Sequence, residues 1–211
     1  MVLEEKISSE RRLFEEAIEG CLEVVSQIDD AKWDEPALGA WDLRSLLGHT
    51  GRAMSTVEAY LLQFDAGILP WLKSPSDYFR AAKVGLSDPQ AVLERGKAAG
   101  LALGDNPKGA IIELAERGRA AILGAEPDAI VTTPVGKMKL DDYLPTRTFE
   151  LAVHSVDMAA VLNVEIPKVL QQPIYSSLEL AIRLLDGLES TVLVLSAITG
   201  RRGVEKGFSV L

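Results

Sequence analysis

Apolar residues recur along this chain three or four positions apart in five long stretches, and each stretch predicts an amphipathic helix with one buried face. The first follows Ser8 or Ser9, either of which can cap it, and carries Phe14, Ile18, Cys21, Val25 and Ile28 inward. Residues 29–41 gather turn formers and two of the three tryptophans, the composition of a packed connector between helices. Asp42 is placed to cap a second helix from Leu43 to about Phe64. Its inner face holds Leu46, Ala53, Val57 and Tyr60, with His49 in the middle. Between Gly67 and Asn106 the long period breaks into short amphipathic pieces, Asp77 to Lys83 and, after an Asp88 cap, Pro89 to about Leu103. This segment is expected to cover one end of a bundle.

Asn106 caps a third helix that has Pro107 at its first position, Gly124 just past its end, and Ile111, Leu114 and Ile122 inward. Residues 129–140 alternate β-branched and turn residues around Gly136 and predict a short hairpin. A fourth helix follows, capped by Asp141 or Asp142, with Pro145 tolerated in its first turn. The fifth runs from about Pro173 to Leu188, with Ile174, Leu178, Ala181, Leu185 and Leu188 on its inner side; the tail beyond Ser190 fits either a last helix or strands. No internal repeat or low-complexity tract interrupts this all-α pattern, which suits one bundle core.

Composition narrows the function classes more than the fold. Hydrophobic residues make up 47% and charged residues 25%, with a mean hydropathy of +0.13, as in ordinary globular domains. The net charge of −9 argues against nucleic acid or an anionic membrane as partner. Neither a cationic, apolar leader nor a membrane-length apolar run is present, so a cytoplasmic protein is expected. The single cysteine, Cys21, falls on a buried stripe and reads as a core residue, so any thiol chemistry takes its thiol from outside.

The fourth helix breaks the rule for a buried face. Arg147, Glu150, His154 and Asp157 follow one another by three, four and three residues, and the same series extends to Tyr143 and Val161. Unpaired charge on such a face is costly, so these groups either pair with one another or hold a metal ion. Both of the chain's histidines, His49 and His154, fall on inward faces of different helices. Glu150 and His154 can present a carboxylate oxygen and an imidazole nitrogen to one ion, with His49 closing the set from the neighbouring helix. Two histidines and one carboxylate leave an open position, the pattern of a catalytic zinc. Asp157 would then accept a proton from His154, and Arg147 would pair with Glu150 or an anionic substrate. Spacing alone supports equally a metal-free ladder Arg147–Glu150–His154–Asp157 at the surface.

The stretch from Trp41 to His49, WDLRSLLGH, preceded by Trp33 and Pro36, resembles the W-(D/T)-(V/L)-R-(D/S)-L-x-x-H motif of the mycothiol-dependent maleylpyruvate isomerase N-terminal domain family, within the DinB-like superfamily. Arg147, Glu150, His154 and Asp157 match its second motif, R-x-x-E-x-x-x-H-x-x-D, and the end of the chain from Thr199 is similar to that of many actinobacterial members. One connector differs, reading Leu38-Gly39-Ala40-Trp41 where many relatives have Cys-Pro-Gly-Trp. The resemblance implies a DinB-like up-down four-helix bundle with an extra C-terminal helix and a short β-hairpin. It implies a divalent ion, Zn²⁺ or another such as Ni²⁺, on His49, Glu150 and His154, with Arg147 and Asp157 in supporting roles. Residues 1–190 would form the bundle and 191–211 a remnant of the region that leads into a second domain in relatives. The implied activity is transfer or isomerisation in which the metal activates mycothiol or a similar low-molecular-weight thiol against a small electrophile, by a monomer or homodimer. A metal-dependent hydrolase and a non-enzymatic metal- or small-molecule-binding protein stay open beside it.

Overall fold

Ser8 begins the bundle by accepting the backbone N–H of Arg11, 3.3 Å away, and so caps helix α1 (Ser9–Ser26). Phe14, Ile18, Cys21, Val25 and Ile28 are all buried, as their spacing predicts. The structure, a computed structural model, describes residues 8–63, 67–86, 88–205 and 207–210. Phe64, the expected end of the second helix, lies outside those residues, as do residues 1–7, Lys206 and Leu211.

The tryptophan-bearing connector forms a small antiparallel hairpin, β1 (Pro36–Leu38) and β2 (Trp41–Asp42), turned at Gly39 with φ +59°. Asp42 then caps α2 (Leu43–Leu61) through the N–H of Ser45 at 2.7 Å. The segment expected to cover one end is more ordered than that. Ser74 caps α3 (Pro75–Gly85), and Asp88 caps α4 (Pro89–Ala102), which packs lengthwise on α2. Gly48 and Gly100 make that contact possible, since a Cβ on Gly100 would stand 2.8 Å from the Arg44 carbonyl oxygen. α5 (Pro107–Leu123) starts from Asn106 and stops at Gly124, as read from the sequence.

The strands β3 (Ile130–Thr133) and β4 (Gly136–Lys139) form the predicted hairpin. β4 also bonds the 70–72 loop, Leu72 donating to the Lys137 carbonyl at 2.8 Å, which anchors the chain just before α3. The hairpin runs straight into α6 (Leu140–Leu162), and this corrects two expectations. Neither Asp141 nor Asp142 is the cap: the helix starts at Leu140, whose N–H donates to the Ala129 carbonyl next to the hairpin, and Lys139 holds the cap position without a side-chain hydrogen bond. The two aspartates instead occupy the first turn, where carboxylates suit the helix dipole. Pro145 consequently lies inside the helix, beyond the first turn, and denies the Asp141 carbonyl its usual partner.

Buried Arg11 ties the ends together, donating to the Asp141 carboxylate at 2.9 Å and to the carbonyls of Ala125 and Glu126 past α5. α6 is the hub of the bundle and packs against α1, α2 and α7 (Gln171–Arg183). The fifth helix departs from its expected face. Its buried residues are Pro173, Ser177 and Leu180, with Leu184 just after, while Leu178 and Leu188 are exposed. Ser177 can be buried because its hydroxyl donates to the Pro173 carbonyl at 2.7 Å, and polarity alone therefore misplaced the stripe. α7 ends at Arg183, and the ambiguous tail supplies a further helix, α8 (Gly187–Ile198), which runs through residue 190. No helix among the described residues is long and apolar enough to cross a membrane.

Candidate metal centre and substrate cavity

Three side chains converge where α2 meets α6. Glu150 and His154 stand one turn apart on α6, with Glu150 Oε2 3.4 Å from His154 Nε2, and His49 on α2 brings its Nε2 to 3.8 Å from the same oxygen. One ligand atom from each lies within 4.8 Å of the others, the single such trio among the described residues. Ligands about 2.1 Å from a tetrahedral ion are separated by ~3.4 Å, a spacing that Glu150 and His154 meet at 3.4 Å and His49 and Glu150 approach at 3.8 Å. The donor set of two imidazoles and one carboxylate fits the same group of ions.

The two histidines are held differently. His154 Nδ1 hydrogen-bonds Asp157 Oδ2 at 3.0 Å, which orients the ring and aims Nε2 at Glu150. His49 lies against the Trp41 indole, ring centroids 4.5 Å apart, and meets His154 edge-on at 5.1 Å. Its Nδ1 is buried with no hydrogen-bond partner among the described residues. Trp41 in turn is fixed by its N–H to the Leu93 carbonyl at 3.0 Å and by packing on Gly96, where a Cβ would overlap the indole.

The charges in the trio follow from these contacts. Burial favours neutral Glu150, but hydrogen bonds from His154 and His49 and the nearby Arg147 charge outweigh it and hold its pKa far below the usual carboxylate range. Burial likewise disfavours charged His154, yet Asp157 and Glu150 raise its pKa to about 9. Burial dominates at His49 and lowers its pKa. Cys21, in the core, has its thiol pushed up to about 11 by burial, which suits a packing role and not a nucleophile.

Arg147 departs from the expected pairing. It makes no ion pair with Glu150. Its Nε donates to Thr146 Oγ1 at 3.0 Å, and its guanidinium lies 4.9 Å from the ring centre of Tyr143 and 5.3 Å from that of Tyr78. Only 7% exposed, it faces a cavity of about 410 Å³ that His49 and Glu150 also line. The surface-ladder reading fails at its arginine end, where Arg147 is buried and stands apart, while its Glu150–His154 and His154–Asp157 contacts are present at 3.4 and 3.0 Å.

Sequence reasoning missed the rest of this cavity. Arg52, one turn after His49, was within reach of the helical spacing; Lys83 on α3 and Arg95 on α4 came from the segment read only as a cover. With Arg147 they set four cations against one carboxylate in the lining, within a chain of net charge −9. Tyr60, Tyr78 and Phe79 supply the apolar wall. A larger cleft, about 770 Å³, opens elsewhere among Glu10, Asp141, Asp142 and Glu179, away from the trio.

The sequence of residues 14–159 matches the family described as the mycothiol maleylpyruvate isomerase N-terminal domain. Two solved structures share the fold: the mycothiol-dependent maleylpyruvate isomerase and a histidine-to-alanine mutant of it, at 18% and 17% identity, each with a TM-score of 0.54. Each alignment covers 87% of this chain and 72% of the other, so the bundle is the DinB-like one of those enzymes. No curated protein matches the chain.

Proposed function

Because this chain belongs to the family of the mycothiol maleylpyruvate isomerase N-terminal domain, we propose that it is a metal-dependent transferase or isomerase that adds a low-molecular-weight thiol of the mycothiol kind to a small anionic electrophile. The observation that carries this reading is the placement of His49, Glu150 and His154 beside a cavity whose charged groups other than Glu150 are all cations, Arg52, Lys83, Arg95 and Arg147. When bound, a divalent ion such as zinc would supply the positive charge that lets a thiol lose its proton near neutral pH. Glu150 and the two imidazoles would hold it, with Asp157 keeping the His154 tautomer that offers Nε2.

The remaining residues act on the electrophile. Arg147 is permanently charged, pinned between two tyrosine rings, and free of a carboxylate partner, so its open edge is suited to a substrate carboxylate. Arg52, Lys83 and Arg95 attract such an anion into the cavity. Tyr60, Tyr78 and Phe79 exclude water and strengthen these interactions. Glu150 is ionised and His49 neutral, as ligands must be, whereas His154, its pKa raised to about 9 by Asp157 and Glu150, would give up its Nε2 proton to the incoming ion.

The test is metal content followed by turnover. Protein purified without a histidine tag should carry about one zinc per chain, and His154→Ala and Glu150→Ala should carry little. Wild type should consume α,β-unsaturated carboxylic acids only when mycothiol or an equivalent thiol is added. Absence of metal after zinc is offered and the excess removed would sink the reading, as would equal turnover without thiol, which is the behaviour of a hydrolase.

A further inference from the structure

α8 is apolar on two opposite sides, and the described residues cover only one. Ser190, Leu193, Val194 and Ala197 are partly buried. On the other side Leu188, Val192, Leu195 and Ile198 are 79%, 51%, 57% and 66% exposed, and no residue of the helix is fully buried. A helix that is hydrophobic all round is normally enclosed all round. The exposed row spans one face at spacings of four, three and three, wide enough for a second helix to lie along it.

The charges at the two ends indicate what covers it. Asp186 and Glu189 stand at the start of α8, Arg201 and Arg202 just beyond its end, and residues 190–200 between them carry no charge. Gly200, at φ +73°, turns the chain so that the backbone N–H groups of Arg201 and Arg202 both reach the Ser196 carbonyl, at 2.8 and 3.2 Å, which holds the arginines close to the helix end. None of the four charged side chains forms an ion pair within the described residues. Leu195 lies midway between Val192 and Ile198, and also midway between Glu189 and Arg201. The face is therefore self-complementary under a twofold axis at Leu195.

We propose that two copies of this chain associate through the exposed face of α8, the two helices antiparallel and crossing at Leu195. Leu195 then meets its own copy, Val192 meets Ile198, and the acidic end of each helix faces the arginine pair of the other, the same patch serving both partners. Parallel pairing would instead juxtapose like charges at both ends. The same charges also suit the dipole of an isolated helix, so the decisive experiment exchanges them and does not merely delete them.

The full chain is examined by light scattering and sedimentation equilibrium. Wild type should be a dimer at micromolar concentration. Leu195→Glu, at an exposed position, should give a monomer of unchanged helical circular dichroism. Reversing the acidic end (Asp186→Arg with Glu189→Arg) or the basic end (Arg201→Glu with Arg202→Glu) should each weaken association at least about tenfold, and the four reversals together should restore it. A monomeric wild type, a dimer indifferent to Leu195→Glu, or a fourfold variant no better than either pair would overturn the proposal; the last would leave the dipole as the reason for the charges.

Discussion

Arg147 shows what a single residue does when its obvious partner is withheld. Four positions from Tyr143 and three from Glu150, it was placed by spacing on the face of the trio, and that much the structure bears out. Its true neighbours are aromatic. Tyr143 lies on the same helical stripe and was legible in the sequence, whereas Tyr78 arrives from α3 and no local pattern could have supplied it. The guanidinium owes its position to the faces of two tyrosine rings and to one bond from Nε to Thr146, and a lysine ammonium does not reproduce this combination. Arg147→Lys should therefore keep its metal while the KM for a carboxylate substrate rises about 10–100-fold, the worth of a charged hydrogen bond in a recessed site. Steady-state kinetics alongside metal analysis test this. An unchanged KM would remove Arg147 from substrate binding, and loss of metal would make it a support of the trio instead.

At the scale of elements, the helices whose ends are set by local chemistry were read well and those set by tertiary contact were not. Ser8, Asp42, Asp88 and Asn106 cap where their side chains predict, because a cap is a bond between neighbours in sequence. The start of α6 was misread because its first N–H is taken by Ala129 across the hairpin, and the inner face of α7 was misread because Ser177 satisfies itself. The segment between Gly67 and Asn106 was recognised as helical in pieces, but its packing on α2 depends on Gly48 and Gly100, whose role is visible only in pairs. Gly48→Ala should destabilise the protein by about 1–3 kcal/mol despite alanine's better helix propensity, because the new Cβ meets the backbone of Ala99 and Gly100, which cannot swing aside. Gly51→Ala, three residues on, is the control. Its Cβ would meet the methyl ends of Ile111 and Leu114, which can move, and stability should change by less than about 1 kcal/mol. Denaturant midpoints compare the two, and equal effects would show that close approach of α2 and α4 is not what Gly48 provides.

For the whole molecule, the trio joins α2 to α6 across a core that is already continuous. Buried apolar residues from α1, α2, α5 and α6 form one cluster, and the Arg11 clamp closes its other end. The fold therefore does not depend on an ion in the way a zinc finger does. A metal held by His49, Glu150 and His154 still binds only the native state, since the unfolded chain scatters residues about a hundred positions apart. By mass action an ion at 100 times its Kd stabilises by ~2.7 kcal/mol, and removing it should lower Tm by roughly 5–10 °C in a domain of this size. Chelation should thus shift the melting transition downward while far-UV circular dichroism at 25 °C stays helical, and re-adding zinc should restore it. His49→Ala, which breaks the link from the α2 side, should melt at the same temperature with and without chelator. Outright unfolding on chelation would mean that the bundle needs the ion to close. An unchanged Tm after verified metal removal would mean that the trio does not bind it in the native fold.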